Sequence, residues 1–111
     1  MAAAVLARRC IQHLIRIKLA IKKRDLFQEI EEAVKRPELT KPTQDSLHHV
    51  REIGNWSAHP STDQAETIID VDAADAEYTI DVVELLFVDL YVTPAHAAAM
   101  RARIDAKKKR T

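Results

Sequence analysis

Residues 73–92 read AADAEYTIDVVELLFVDLYV. Ala76, Ile80, Val83, Phe87 and Leu90 recur at the i, i+4, i+7 spacing of one helix face, and Asp72, with Asp75 three residues on, supplies an acidic N-cap. The spacing therefore predicts a helix from Ala73 to about Val92 with that stripe turned inward. Val82, Leu85 and Leu86 widen the stripe well beyond a one-sided helix. A helix apolar over so broad an arc is either the centre of a bundle or part of a subunit interface. Thr93-Pro94 follows as an N-cap with proline at the first helical position, which predicts a separate helix through AHAAAMRARIDAKKKR. The basic end of that C-terminal helix, within residues 94–111, is expected to fray.

Working toward the N-terminus, Leu6, Cys10, Leu14, Ile17 and Ile21 predict a first helix from Ala2 to about Lys23. Arg9, Gln12 and Arg16 form a polar stripe on its other side, which must meet solvent, an acidic partner or a ligand such as RNA. Asp25, with Gln28 three residues later, caps a second helix that runs to about Lys35 with Leu26, Ile30 and Val34 inward. Pro37 ends it, and RPELTKPT has the prolines and threonines of a loop. A third helix is expected from about Thr43 through QDSLHHVREIGNWSA, with Leu47, Val50, Ile53 and Gly54 on one stripe and Arg51, Asn55 and His59 on another. His59-Pro60 marks its exit. The connection STDQAETIIDVD then reads as polar to extended, with a short strand-like piece at Thr67–Val71. The whole is an all-α bundle of four or five helices, one domain over residues 1–111.

Composition narrows the function classes. One glycine among 111 residues denies the chain a phosphate-cradling glycine loop, so P-loop and Rossmann nucleotide sites are excluded. One cysteine, Cys10, makes neither an internal disulfide nor a zinc cluster, and its neighbours suit a buried reduced thiol. No run of 18 uncharged apolar residues is present, and Arg8 and Arg9 interrupt the N-terminal apolar stretch too soon for a signal-peptide core. The expected setting is the cytoplasm, with no membrane. The net charge of +0 conceals a partition: Met1 to Arg24 holds seven basic residues and no acid, and Glu52 to Met100 holds ten acids and no Lys or Arg. Either the oppositely charged helices pair, within one chain or between two copies, or they present faces of opposite sign to partners.

The third helix is the richest in chemistry. Arg51, Asn55 and His59 stand four residues apart, so they rise along one face over roughly 12 Å. An arginine fork suits phosphate, an asparagine orients a neighbour or a water, and a histidine moves protons near neutral pH. That is the equipment of a metal-independent ribonuclease, in which a base takes the 2′-hydroxyl proton and a cation steadies the phosphate. The alternatives are structural: His59 as a helix cap, Asn55 as a hydrogen-bonding partner of the following loop, and Arg51 paired with an acid of the fourth helix. Gly54, unfavourable inside a helix by roughly 1 kcal/mol, marks close approach of another helix or of a ligand. Trp56 reads as an anchor at the bundle edge or a dimer interface. His48 and Glu52 form an i, i+4 pair without a third convergent ligand, so no metal and no cofactor is implied.

The segments ARRCIQHLI, LFQEIEE, VREIGNWSAHP and ELLFVDLYVTPA, with the closing lysines, resemble in order the bacterial domain-of-unknown-function family 4145. The most specific piece is the run of Arg51, Gly54, Asn55, Ala58 and His59. That family is similar to the HEPN group of helical bundles, many of which are dimeric RNases or RNA-binding modules of anti-phage, toxin and restriction systems. The resemblance implies a HEPN-like fold and a homodimer, with RNA or a partner protein as ligand. It also matches an arginine at Arg9, where the family continues with Leu-Glu and this chain with Ile11-Gln12. Catalytic members of the HEPN group place a polar residue directly after the arginine and four to six residues between it and the histidine. Here Glu52 follows Arg51, and seven residues separate Arg51 from His59. The upstream zinc-ribbon segment of many relatives is not matched. The expectation is thus a helical binding module, homodimeric through the fourth helix, in a bacterial defence or toxin-like system. An endoribonuclease using Arg51, Asn55 and His59 and a purely structural oligomerisation domain are the alternatives.

Overall fold

A computed structural model describes the backbone of residues 2–58 and 73–110, and the side chains of residues 3–53 and 73–110. The expected strand-like piece Thr67–Val71, the Asp72 cap and His59-Pro60 lie outside the described residues. The architecture is all-α: α1 spans Ala2–Lys18, α2 Leu26–Ala33, α3 Lys41–Ala58, α4 Ala73–Phe87 and α5 Thr93–Arg110. There is no strand among the described residues. α1 packs along α4, α2 joins α1 to α3, and α3 returns onto α4. The shared core holds Ile11, Leu14 and Ile15 of α1, Ile30 of α2, Leu47 and Val50 of α3, and Val82, Leu86 and Leu90 from the α4 side.

The expected inward stripe of α1 is displaced. Leu14 is buried as expected, but Leu6 and Ile17 are each 58% exposed and Cys10 is exposed, so the thiol is not a core residue. Ala4, Ala7, Ile11, Leu14 and Ile15 are buried instead, which is a rotation of about 90° at 100° per residue. The helix also ends at Lys18 rather than near Lys23, because Ala20 takes the left-handed conformation at φ 55°. In a chain whose one glycine is Gly54, an alanine bears that turn, at a conformational cost of about 1 kcal/mol.

α2 follows its sequence signals. Asp25 accepts from the Gln28 backbone N–H at 2.9 Å, and the Gln28 side chain accepts from the Arg24 N–H at 3.3 Å. The helix turns out at Ala33, three residues before the proline loop. In that loop Arg36 donates to the Leu19 carbonyl at 2.9 Å and to Glu38 at 2.6 Å, tying the exit of α1 to the entry of α3. The expected stripe Leu47, Val50 and Ile53 of α3 is buried.

The C-terminal third departs most from expectation. Thr93-Pro94 does not open a new helix: α4, a π turn at Val88–Val92 and α5 form one continuous helix of 38 residues. Pro94 has no N–H, and its ring would strike the Leu90 carbonyl in a regular α turn. The π turn shifts the register, so that Thr93 N–H bonds to the Val88 carbonyl five residues back and the helix continues. The inward stripe is Ala76, Thr79, Val82, Leu86 and Leu90, while Ile80 and Phe87, expected inside, are 43% and 46% exposed. α5 remains helical to Arg110, where fraying is expected, and buries no residue. The molecule is accordingly elongated, with a radius of gyration of 17.9 Å against about 13 Å for a compact chain of this length. By length and composition alone, this long helix also meets the minimum for crossing a membrane.

The rotated face of α1 is directly measurable. Ile15→Ala should lower unfolding free energy by about 2–5 kcal/mol, the range for a buried isoleucine, whereas Ile17→Ala should change it by under about 0.5 kcal/mol. Urea titrations of the two variants decide which face is the core, and a larger loss for Ile17→Ala than for Ile15→Ala would restore the face expected from spacing.

Candidate functional site

The polar stripe of α1 meets a buried acid. Glu29, on the inward side of α2 and 0% exposed, accepts from Gln12 Nε2 at 3.0 Å, from Arg16 Nε at 2.8 Å and from the Lys23 backbone N–H at 3.0 Å. A carboxylate removed from water is tolerated only when paired and hydrogen-bonded, and these three donors meet that demand. Gln12 and Arg16, candidates for RNA or ligand contact, therefore spend these donors inside the fold. Arg9 is exposed one turn earlier on the same helix. Glu29 stands three residues after Leu26 and four before Ala33, at the edge of the apolar side of α2, and that position was its signal in the sequence: a charge beside the inward sites of an amphipathic helix.

Arg51 is half-buried where α3 crosses α2. Its guanidinium carbon lies 3.6 Å from the centroid of the Phe27 ring, and Nη2 stands 3.5 Å from Glu31 Oε2. The partner is thus an acid of α2, not one of the fourth helix. Nε is buried without an acceptor among the described residues. Stacking on an aromatic face holds a guanidinium by about 0.5–2 kcal/mol, so Arg51 acts as a bolt between two helices. The backbone of Gly54, Asn55 and Trp56 continues α3 to Ala58. The side chains of Asn55 and Trp56, and all of His59, lie outside the described residues, so the expected row of Arg51, Asn55 and His59 is placed only at Arg51.

One neighbouring histidine bridges two helices. His49 Nδ1 lies 3.0 Å from the Tyr78 hydroxyl with the rings edge to face, linking α3 to α4 at an exposed position, and His48 and Glu52 are exposed too. No group of three His, Cys, Asp or Glu side chains converges among the described residues. A second buried acid, Asp89 in the π turn, accepts from the Thr40 N–H at 2.9 Å and from its hydroxyl at 3.1 Å. A carboxylate at the N-terminus of α3 also meets the positive end of that helix dipole. On the surface, the Arg36 guanidinium holds the Glu38 carboxyl below its usual range, and Lys41 does the same for Asp45. What these exposed pairs add is present at neutral pH and disappears on acidification.

A further feature among the described residues is apolar. Ile80, Phe87, Val88, Tyr91 and Val92 lie between 41% and 58% exposed along the outer side of α4 and the π turn. Lys18 lies 4.5 Å over the Tyr91 ring at the edge of this strip.

The Glu29 cluster yields a stability prediction. Glu29→Gln keeps the shape but removes the charge that Arg16 and the Lys23 N–H address, and should lower unfolding free energy by about 1.5–3 kcal/mol in urea titration. An unchanged midpoint would show that the cluster does not hold α1 to α2.

Among known proteins, the family described as Domain of unknown function (DUF4145) matches residues 1–104. No curated protein and no solved structure matches the chain.

Proposed function

The chain belongs to the DUF4145 family, and from that premise we propose that it is a non-catalytic helical interaction module that pairs with a second copy through the outer side of α4 and the π turn. The observation that carries this reading is the uncovered apolar strip of Ile80, Phe87, Val88, Tyr91 and Val92. Five large apolar side chains exposed along one side of a helix support association. The commitment of Gln12 and Arg16 to Glu29, and of Arg51 to Phe27 and Glu31, supports binding over chemistry. The resemblance to HEPN-type bundles supports a place in a bacterial defence or toxin-like system, in the cytoplasm. Asp81 and Glu84, exposed on the outer side of α4, support a protein rather than a lipid neighbour for the long helix, since a carboxylate facing the bilayer centre is unfavourable by about 2.5–3.5 kcal/mol.

One observation favours a second reading. Arg51 Nε, buried without an acceptor among the described residues, supports a phosphate contact of the kind a metal-independent endoribonuclease with Arg51 as clamp, Asn55 as orienter and His59 as base would need.

Two measurements on the purified chain separate these readings. Sedimentation equilibrium without detergent should give the mass of a dimer, and Phe87→Glu, an exposed substitution, should give a folded monomer. Labelled structured RNAs in EDTA should stay intact with wild type and with His59→Ala alike. Cleavage by wild type alone would overturn the non-catalytic assignment, and a wild-type monomer would overturn pairing.

A further inference from the structure

We infer that two copies of the chain lie antiparallel along the whole Ala73–Arg110 helix, so that α5 of each covers the outer face of its partner's α4. The inference rests on the pairing proposed above and supplies its geometry. α5 has 18 residues and buries none of them. Met100 and Ile104 are 48% and 54% exposed along it.

The charges name the occupant. The outer face of α4 carries Glu77, Asp81 and Glu84, and α4 has no basic residue. α5 carries Arg101, Arg103 and Lys107 among its basic residues against a single acid, Asp105. These complementary halves cannot meet within one chain, because the helix joining them is continuous. Residues 80 and 104 are held about 36 Å apart along it. Among the described residues neither half meets its complement, and a second copy offers it twice over.

The inferred pair has a two-fold register, chosen by the levels of the charges along the axis. Setting Ile104 opposite the partner copy's Ile80 brings Arg103 level with Asp81 and Lys107 level with Glu77, each counted on the opposite copy. Val92 falls on the axis, and the exposed strip of the π turn lies at the centre of the pair. A parallel pair would instead set acid on acid and base on base. Interhelical charge pairs of this sort fix orientation and partner more than they add affinity.

The test uses the full chain with the exposed Cys10 replaced by serine. Ile80→Cys and Ile104→Cys are prepared separately, each near half exposed in the parent, and bridged with a short bis-maleimide. Covalent dimers should form when the two variants are mixed and not when either is alone. Self-bridging of each variant alone would establish a parallel pair and overturn the inference. A dimer by sedimentation with no bridge in the mixture would overturn the register while leaving the pairing itself intact. A monomer by sedimentation would overturn both, and one that binds duplex RNA through α5 would reassign the basic helix to nucleic acid. As a second readout, Asp81→Lys should raise the dimer dissociation constant at least about tenfold, and adding Arg103→Glu should return it to within about threefold. No rescue would break the assigned contact.

Discussion

The Glu29 carboxylate, shut away from water between α1 and α2, sets the terms for the rest of the fold. Its three donors come from two turns of α1 and from the connection that follows. Because Gln12 and Arg16 must point at α2, the rotation of α1 about its own axis is decided. Ile11, Leu14 and Ile15 then face α4, and Leu6, Cys10 and Ile17 are left outside. An uncompensated buried charge is far more costly than an exposed leucine, so the polar demand overrides the more regular apolar spacing.

Asp89 plays a parallel role at the other end. It ties the π turn to the first residue before α3, which fixes where the long helix meets the core. With Leu86 and Leu90 inside beside it, the outer positions 80, 87 and 91 are turned away from the bundle. The π turn makes the arrangement continuous. It lets the helix absorb Pro94 and carries α5 straight out of the domain instead of folding it back. The result is a small core with a long arm, α5, that buries no residue.

The placement of Arg51 depends on a crossing helix in the same way. Arg51, read from spacing as a phosphate clamp or as a partner for the fourth helix, lies on Phe27 and reaches Glu31. Spacing along one helix places side chains on a face, but it does not say which neighbour crosses that face. Phe27 and Glu31 are four residues apart on α2, a spacing that offers one aromatic and one acid to a crossing arginine.

By itself the sequence determined the helical class, the Asp25 cap with its Gln28 partner, the buried stripe of Leu47, Val50 and Ile53, the charge partition and the family run at Arg51–His59. These are local matters: periodicity, capping and motif are written in neighbouring residues and need no knowledge of what packs where. Tertiary structure alone decided the rotation of α1, the burial of Glu29 and Asp89, the partner of Arg51 and the face α4 turns outward. It also turned Thr93-Pro94 from a helix start into a position inside one helix. Each of these depends on a contact between residues far apart in the chain, where the burial of one charge or one proline ring outweighs the local preference of a whole helix.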